Sequence, residues 1–196
     1  MLTKAERTKQ FILETAAPLF NERGVAGVHI DDVLAATKVA KGCLYGHFEN
    51  KEDLSVQVID LLLSKMTEKI LTTIGQADTA KAKIFAFLDL YTDPLNTYIR
   101  GGCPIFNMAV ESDDTHPIIK KKVAAVITRG QEMAVAILKQ GIENGEFSTK
   151  LDPVVYAFHM VAAVEGGVIM CRAMNTAQPM ISLIKSLKAE LERYAL

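Results

Sequence analysis

The chain has 196 residues, 49% of them hydrophobic, and balances 22 Lys and Arg against 23 Asp and Glu for a formal net charge of −1. That length suits one compact protein or a small module joined to a larger one, and the even charge excludes a globally basic nucleic-acid binder, so any positive surface has to be local. Cys43, Cys103 and Cys171 contain no CxxC pair and leave an odd count, which argues against a disulfide framework or a zinc site; no metal and no cofactor is expected.

Met1-Leu2-Thr3-Lys4 leads into a charged amphipathic segment rather than an apolar run, so the sequence predicts no secretory leader and a cytoplasmic protein. A first helix over residues 4–23 carries Phe11, Ile12, Ala16, Leu19 and Phe20 at helical spacing and stops at Gly24, a residue that tolerates a left-handed terminus. Residues 31–36 form a short helix with Asp31 and Asp32 in its first turn, where acids favour the positive end of the helix dipole. Thr37-Lys38-Val39-Ala40 is a turn, and residues 41–47 form a second short helix, with Val33, Val39, Leu44 and Phe48 left to make a small shared core. This is a helix-turn-helix, whose second helix enters a major groove.

Asn50 is a good N-cap with Asp53 at the third helical position, and the helix it opens runs to about residue 74. It places Lys51 where a phosphate gains both a charge and free backbone N–H groups. Further helices are predicted at about 79–98, 104–112, 117–144, 153–175 and 179–194, punctuated by Gly101-Gly102, Asp113-Asp114-Thr115, Gly145 and Thr176-Ala177-Gln178-Pro179. No stretch alternates with period two, so the fold class is all-α.

Phe20, Gly24, Asp32, Lys41-Gly42, Leu44-Tyr45, His47-Phe48, Lys51-Glu52 and Leu54 together resemble the TetR family of one-component transcriptional repressors. A Gly102-Cys103-Pro104 to Glu111 segment is similar to one branch of that family. The resemblance implies a three-helix DNA-binding domain over residues 1–50 and a larger helical ligand-binding and dimerisation domain over 51–196. The chain departs from the family where hydroxyl residues are replaced by Val28, His29, Ala40 and Cys43, and a turn glycine by Lys38. Hydroxyls at helix starts cap N–H groups and donate to phosphates. Contacts to a double-stranded DNA operator are therefore expected from Lys38, Lys41, Tyr45, His47 and Lys51, with Gly42 allowing close approach and Cys43 a small residue on the reading helix.

The middle helices are expected to hold a sensor for a small-molecule effector. Phe85, Phe87, Leu88, Tyr91, Tyr98, Phe106, Met108, Met133, Ile137, Phe158 and Met160 supply aromatic and thioether surface suited to an adaptable apolar pocket, with ordinary core as the alternative reading of the same stripe. Asn107, Glu111, His159 and Glu165 are polar groups on otherwise apolar faces, each able to orient a ligand or to bond a neighbouring helix end. The expected ligand-binding set is Phe85, Leu88, Tyr91, Tyr98, Phe106, Asn107, Met133, Ile137, Phe158 and His159. His116 and His159 form no recognisable metal pattern with the acids.

Residues 154–171 are apolar almost throughout, apart from His159 and Glu165, while Met180, Ile184, Leu187, Leu191 and Tyr194 repeat in steps of four and three, the spacing of a lengthwise helix seam. No membrane span is expected, because the run is short and its glutamate is costly in lipid. Two such helices from each of two subunits would make the four-helix bundle by which the resemblance implies a homodimer, with Glu165, Gly166, Met180, Ile184, Leu187 and Leu191 at the interface. The function expected is a repressor that binds an inverted-repeat operator as a homodimer and is released by an apolar or aromatic effector. The alternative is an apolar-ligand carrier without specific DNA binding. An enzyme is not expected, since the chain offers no nucleophile with its base, no phosphate-cradling glycine loop and no usefully paired carboxylates.

Overall fold

Thr3 opens the first helix by a reciprocal cap: its hydroxyl accepts from the Glu6 N–H, and the Glu6 carboxylate accepts from the Thr3 N–H. The computed structural model describes residues 3–196, so the opening Met1-Leu2 lies outside the described residues. Among these, nine helices occur and the one β-type contact is an isolated bridge between Phe147 and Ala195. The expected all-α class holds.

The chain groups into two compact units, one running to Met66 and including Ile99–Ala124, the other made of Thr67–Tyr98 and Ala125–Leu196. This grouping differs from a simple division at residues 50 and 51. In the first unit, α1 (Lys4–Gly27) packs against α2 (Ile30–Thr37) and against α6 (Pro104–Ser112). With α3 (Lys41–Tyr45) and the start of α4 (Lys51–Gly75), they close over Ile12, Phe20, Val28, Leu44, Leu54 and Val58, all fully buried. The expected stop at Gly24 is a break rather than an end. Gly24 takes φ 72° and ψ 172°, after which the helix resumes to Gly27.

The second unit is built on α5 (Ala80–Asp89), most of α7 (Pro117–Glu143), α8 (Pro153–Met174) and α9 (Gln178–Glu192). The carboxylate of Glu146 accepts from the N–H groups of Ala80 and Lys81 at 2.9 and 3.0 Å, closing the amino end of α5. A helix over 79–98 was expected, and α5 stops at Asp89. Pro94 has no N–H and disfavours helical geometry at Asp93, whose carboxylate turns the chain by accepting from the Leu95 and Asn96 N–H groups.

The Met180, Ile184, Leu187 and Leu191 seam is intramolecular. All four are at most 4% exposed, and α9 presses them on α8. A β-carbon at Gly167 would lie 2.8 Å from Leu183 and 3.1 Å from the Met180 sulfur, whereas one at Gly166 would meet nothing. Gly167 thus lets α8 come close to this chain's own α9. The Tyr156 hydroxyl ties the same pair by donating to the Leu187 carbonyl at 2.8 Å, and burial pushes its pKa upward, so it remains a donor. Leu187→Ala is accordingly expected to lower unfolding stability by about 2–5 kcal/mol in a denaturant titration and to leave the oligomeric state unchanged by sedimentation.

By length and composition α8 is apolar enough to cross a membrane. Its apolar residues form two opposed stripes. Ala157, Met160, Val164, Val168 and Cys171 are buried, while Val155, Phe158, Ala162, Gly166, Ile169 and Ala173, in steps of three and four, are exposed.

Candidate nucleic-acid interface

Leu44 is fully buried and Phe48 is 1% exposed, and these two anchors fix which way α3 faces. Lys41, Gly42, Cys43 and Tyr45 consequently turn outward, Tyr45 with 43% of its surface exposed. His47 is half-buried and sets its ring edge toward Phe48, with ring centroids 6.4 Å apart. The ammonium of Lys9 lies 5.5 Å from the centre of the Phe48 ring, a cation–π contact joining α1 to this core.

The missing side chain at Gly42 is not required by the protein's own packing, because a β-carbon there would meet nothing within 4 Å. The position is open on its outer side, where the bare backbone can be approached closely. Lys38, exposed in the turn, adopts the left-handed conformation with φ 58°, a region that costs a side-chain-bearing residue about 1–2 kcal/mol. Its N–H still closes α2 on the Leu34 carbonyl at 2.9 Å.

The α1–α2 corner is held by charge. Arg23 donates to Asp32 at 2.8 Å and to the Gly27 carbonyl at 3.1 Å, and the His29 N–H donates to the same Asp32 carboxylate at 2.8 Å. That N–H, and then the Arg23 guanidinium, hold the Asp32 carboxyl below its ordinary pKa. At the start of α4, Asn50 accepts from the Asp53 N–H at 2.9 Å while Asp53 accepts from the Glu49 N–H at 3.1 Å. Lys51, half-buried at the first helical position, stands beside first-turn N–H groups that have no partner within the helix. Lys38, Lys41, Gly42, Cys43, Tyr45, His47 and Lys51 thus all fall in the segment between the end of α2 and the start of α4.

The expected sensor residues do not converge in the same way. Leu88 and Tyr91 are buried, and Phe85, Met133 and Ile137 are half-buried, all five in the second unit. The Tyr91 ring lies 5.3 Å from that of Phe87, and the Lys188 ammonium lies 4.9 Å from the centre of the Phe85 ring. Tyr98 is 60% exposed under the Lys69 ammonium, and Phe158 is 68% exposed. His159, also exposed, stands 3.5 Å from Glu190 of α9. Those three line no interior space. Phe106 and Asn107 belong to the first unit, where the Asn107 amide is committed to donating to Asn21 and the Gly101 carbonyl at 3.1 Å.

The α8–α9 packing likewise withdraws the expected dimer contacts Met180, Ile184, Leu187 and Leu191 from the surface, and Glu165 is 4% exposed. Of that set, Gly166 alone lies on the exposed stripe of α8. A recess lined by Val25, Met108, Glu111, Ser112, His116 and Ile119 encloses no space that would hold a ligand. Sequence reasoning missed Arg23 and Asn21. Asn21 carried a signal, since it interrupts the apolar face of α1 formed by Ala16, Ala17 and Phe20.

Two family models match the chain. One, described as bacterial regulatory proteins, tetR family, covers residues 12–58, and the other, described as tetracyclin repressor-like, C-terminal domain, covers residues 80–187. A TetR transcriptional regulator from Chloroflexus aurantiacus J-10-FL is similar with 33% identity, a TM-score of 0.94, and coverage of 99% of this chain and 98% of its own. A second TetR-family regulator, from Cytophaga hutchinsonii, has 32% identity and a TM-score of 0.90 over 100% of this chain and 98% of its own. The HTH-type transcriptional repressor DhaR of Mycobacterium sp. (strain GP1) is 24% identical over 88% of this chain and 86% of the relative.

Proposed function

From the premise that the chain belongs to the TetR family of transcriptional regulators, a non-enzymatic family, we propose that it is a cytoplasmic repressor. It binds an inverted-repeat operator as a homodimer and is released by an apolar or aromatic small molecule. The observation that carries this reading is the outward row of Lys41, Gly42, Cys43 and Tyr45 seated on the buried Leu44. A helix so presented reads base edges in a major groove, while Lys38, His47 and Lys51 hold the flanking phosphates.

Each head covers only a few base pairs, so selectivity needs two half-sites. The exposed α8 stripe of Val155, Phe158, Ala162, Gly166, Ile169 and Ala173 supplies the dimer seam, with the same patch meeting itself across a twofold axis. Residues 1–50 then serve as the reading head and 51–196 as the sensing and dimerising part. Phe85, Leu88, Tyr91, Met133 and Ile137 are the sensor candidates that burial supports. α4 starts beside the operator contacts at Lys51 and continues to Gly75. A tilt of this helix on effector binding changes the spacing of the two heads, and operator DNA must weaken effector binding by the same factor that effector weakens DNA binding.

Selection of binding sites from random duplex DNA tests the reading. Enrichment of an inverted repeat, bound by a dimer, is the expected result. A folded dimer that enriches nothing above non-specific background would instead favour an apolar-ligand carrier.

A further inference from the structure

The broken end of α1 is held from a distance by α6. Asn21 is 3% exposed and its amide donates to the carbonyls of Arg100 and Gly102 at 2.8 and 3.1 Å. Asn107, on α6, returns the contact by donating to the Asn21 carbonyl and side-chain oxygen, both at 3.1 Å. Three residues beyond Asn21, the left-handed Gly24 leaves a slot that the Glu111 carboxylate fills. A β-carbon at Gly24 would lie 2.6 and 2.7 Å from its two oxygens. One of them, Oε1, accepts from the Ala26 N–H at 2.9 Å.

The other oxygen, Oε2, is buried and has no hydrogen-bond partner. Leaving a buried acceptor unmade costs about 1–3 kcal/mol, so packing alone would favour an apolar residue at this position. What the carboxylate gains is a fixed Ala26 backbone. Ala26 lies between Arg23 and Gly27, the residues that connect to each other and to Asp32 at the start of α2. Val28, which follows, is fully buried.

We propose that Asn107 and Glu111 of α6 are positioning residues for DNA reading: they fix the α1–α2 corner, and through α2 and its turn they set the pose of α3. Neither residue lies in the 38–51 segment that carries the operator contacts. The inference rests on the reading of α3 as the DNA-contacting helix. It makes α6 part of the reading head's scaffold, as the grouping of 99–124 with the chain up to Met66 also indicates.

The test uses the full chain, the duplex enriched from a random pool, and a random-sequence duplex of equal length. Glu111→Ala and Asn107→Ala should each weaken the enriched duplex about tenfold, because a loosened corner lowers the fraction of binding-competent heads. The random duplex should change by less than about twofold, since it asks only for charge. Glu111→Gln keeps an acceptor for the Ala26 N–H and should recover most of the loss. By hydrogen exchange without DNA, Glu111→Ala should speed residues 25–45 as well as 101–112.

Native affinity for the enriched duplex in both alanine variants, equal loss on both duplexes, or faster exchange confined to 101–112 would each overturn the proposal. Should Glu111→Ala fail to fold in a thermal melt, Asn107→Ala carries the same comparison. A native chain that enriches no duplex defeats the DNA-reading proposal itself. In that case the exchange of residues 25–45 still decides whether α6 holds the corner.

Discussion

Changing Lys41 and Tyr45 together to alanine is expected to weaken binding to the selected operator by roughly 10²–10³-fold per half-site while leaving the fold and the proposed dimer intact. Each side chain leaves α3 on its outer side, Tyr45 with 43% of its surface exposed. A well-placed contact to a base edge or phosphate is worth about 1–3 kcal/mol, and two on one short helix sum to the stated loss. The substitutions also separate. Lys41 carries charge, so Lys41→Ala should reduce the slope of log affinity against log salt by about one per head if it meets a phosphate, or relax the consensus at one position if it meets a base. Tyr45 is neutral, and Tyr45→Ala should lower affinity with little change in slope. Fluorescence anisotropy at four or five salt concentrations reads all of this. Operator affinity within threefold of native for the double variant would remove α3 from the interface.

Phe158→Glu is expected to convert a dimer to monomers, raising the dimer dissociation constant by roughly a thousandfold or more. Phe158 is the most exposed large residue of the α8 stripe, at 68%, with Val155, Ile169 and Met170 also more than half exposed. At a twofold seam each substitution occurs twice, placing two carboxylates in desolvated surroundings without partners. Because α9 packs on the opposite side of α8, the subunit itself should remain folded. Sedimentation velocity and circular dichroism separate the outcomes. Operator affinity should fall with the dimer, since a single head covers one half-site. A dimer of native strength in this variant would place the interface elsewhere.

Helix order was legible because the chain announces its boundaries chemically. Pro104, Pro117 and Pro153 each open a helix, as expected from proline's fit to a first turn, and the α4 cap at Asn50 and Asp53 is made as read. The reading head was legible for a related reason: of the expected shared core, Val33, Leu44 and Phe48 are buried and Val39 half-buried, and these anchors leave little freedom in what turns outward. The segment after Asp89 was misread because helical periodicity continued past a proline that ends the helix locally. The seam on α9 was misread at another level. Spacing shows that Met180, Ile184, Leu187 and Leu191 share a face, but the same spacing serves a partner subunit or the preceding helix of the same chain. Asn107 was placed with the ligand groups because a polar residue among apolar ones looks the same whether it faces a pocket or a backbone carbonyl, and its partner Asn21 lies 86 positions away.

The two opposed apolar stripes of α8 also bear on gene dosage. In the proposed dimer, a newly translated subunit covers only one of them by itself, and the other waits for a second copy. Assembly from scarce monomers is second order, and operator occupancy at low expression should rise with the square of the protein's concentration rather than in proportion to it. Halving synthesis would then cut operator occupancy about fourfold, a steepness that needs no cooperative switch and no effector.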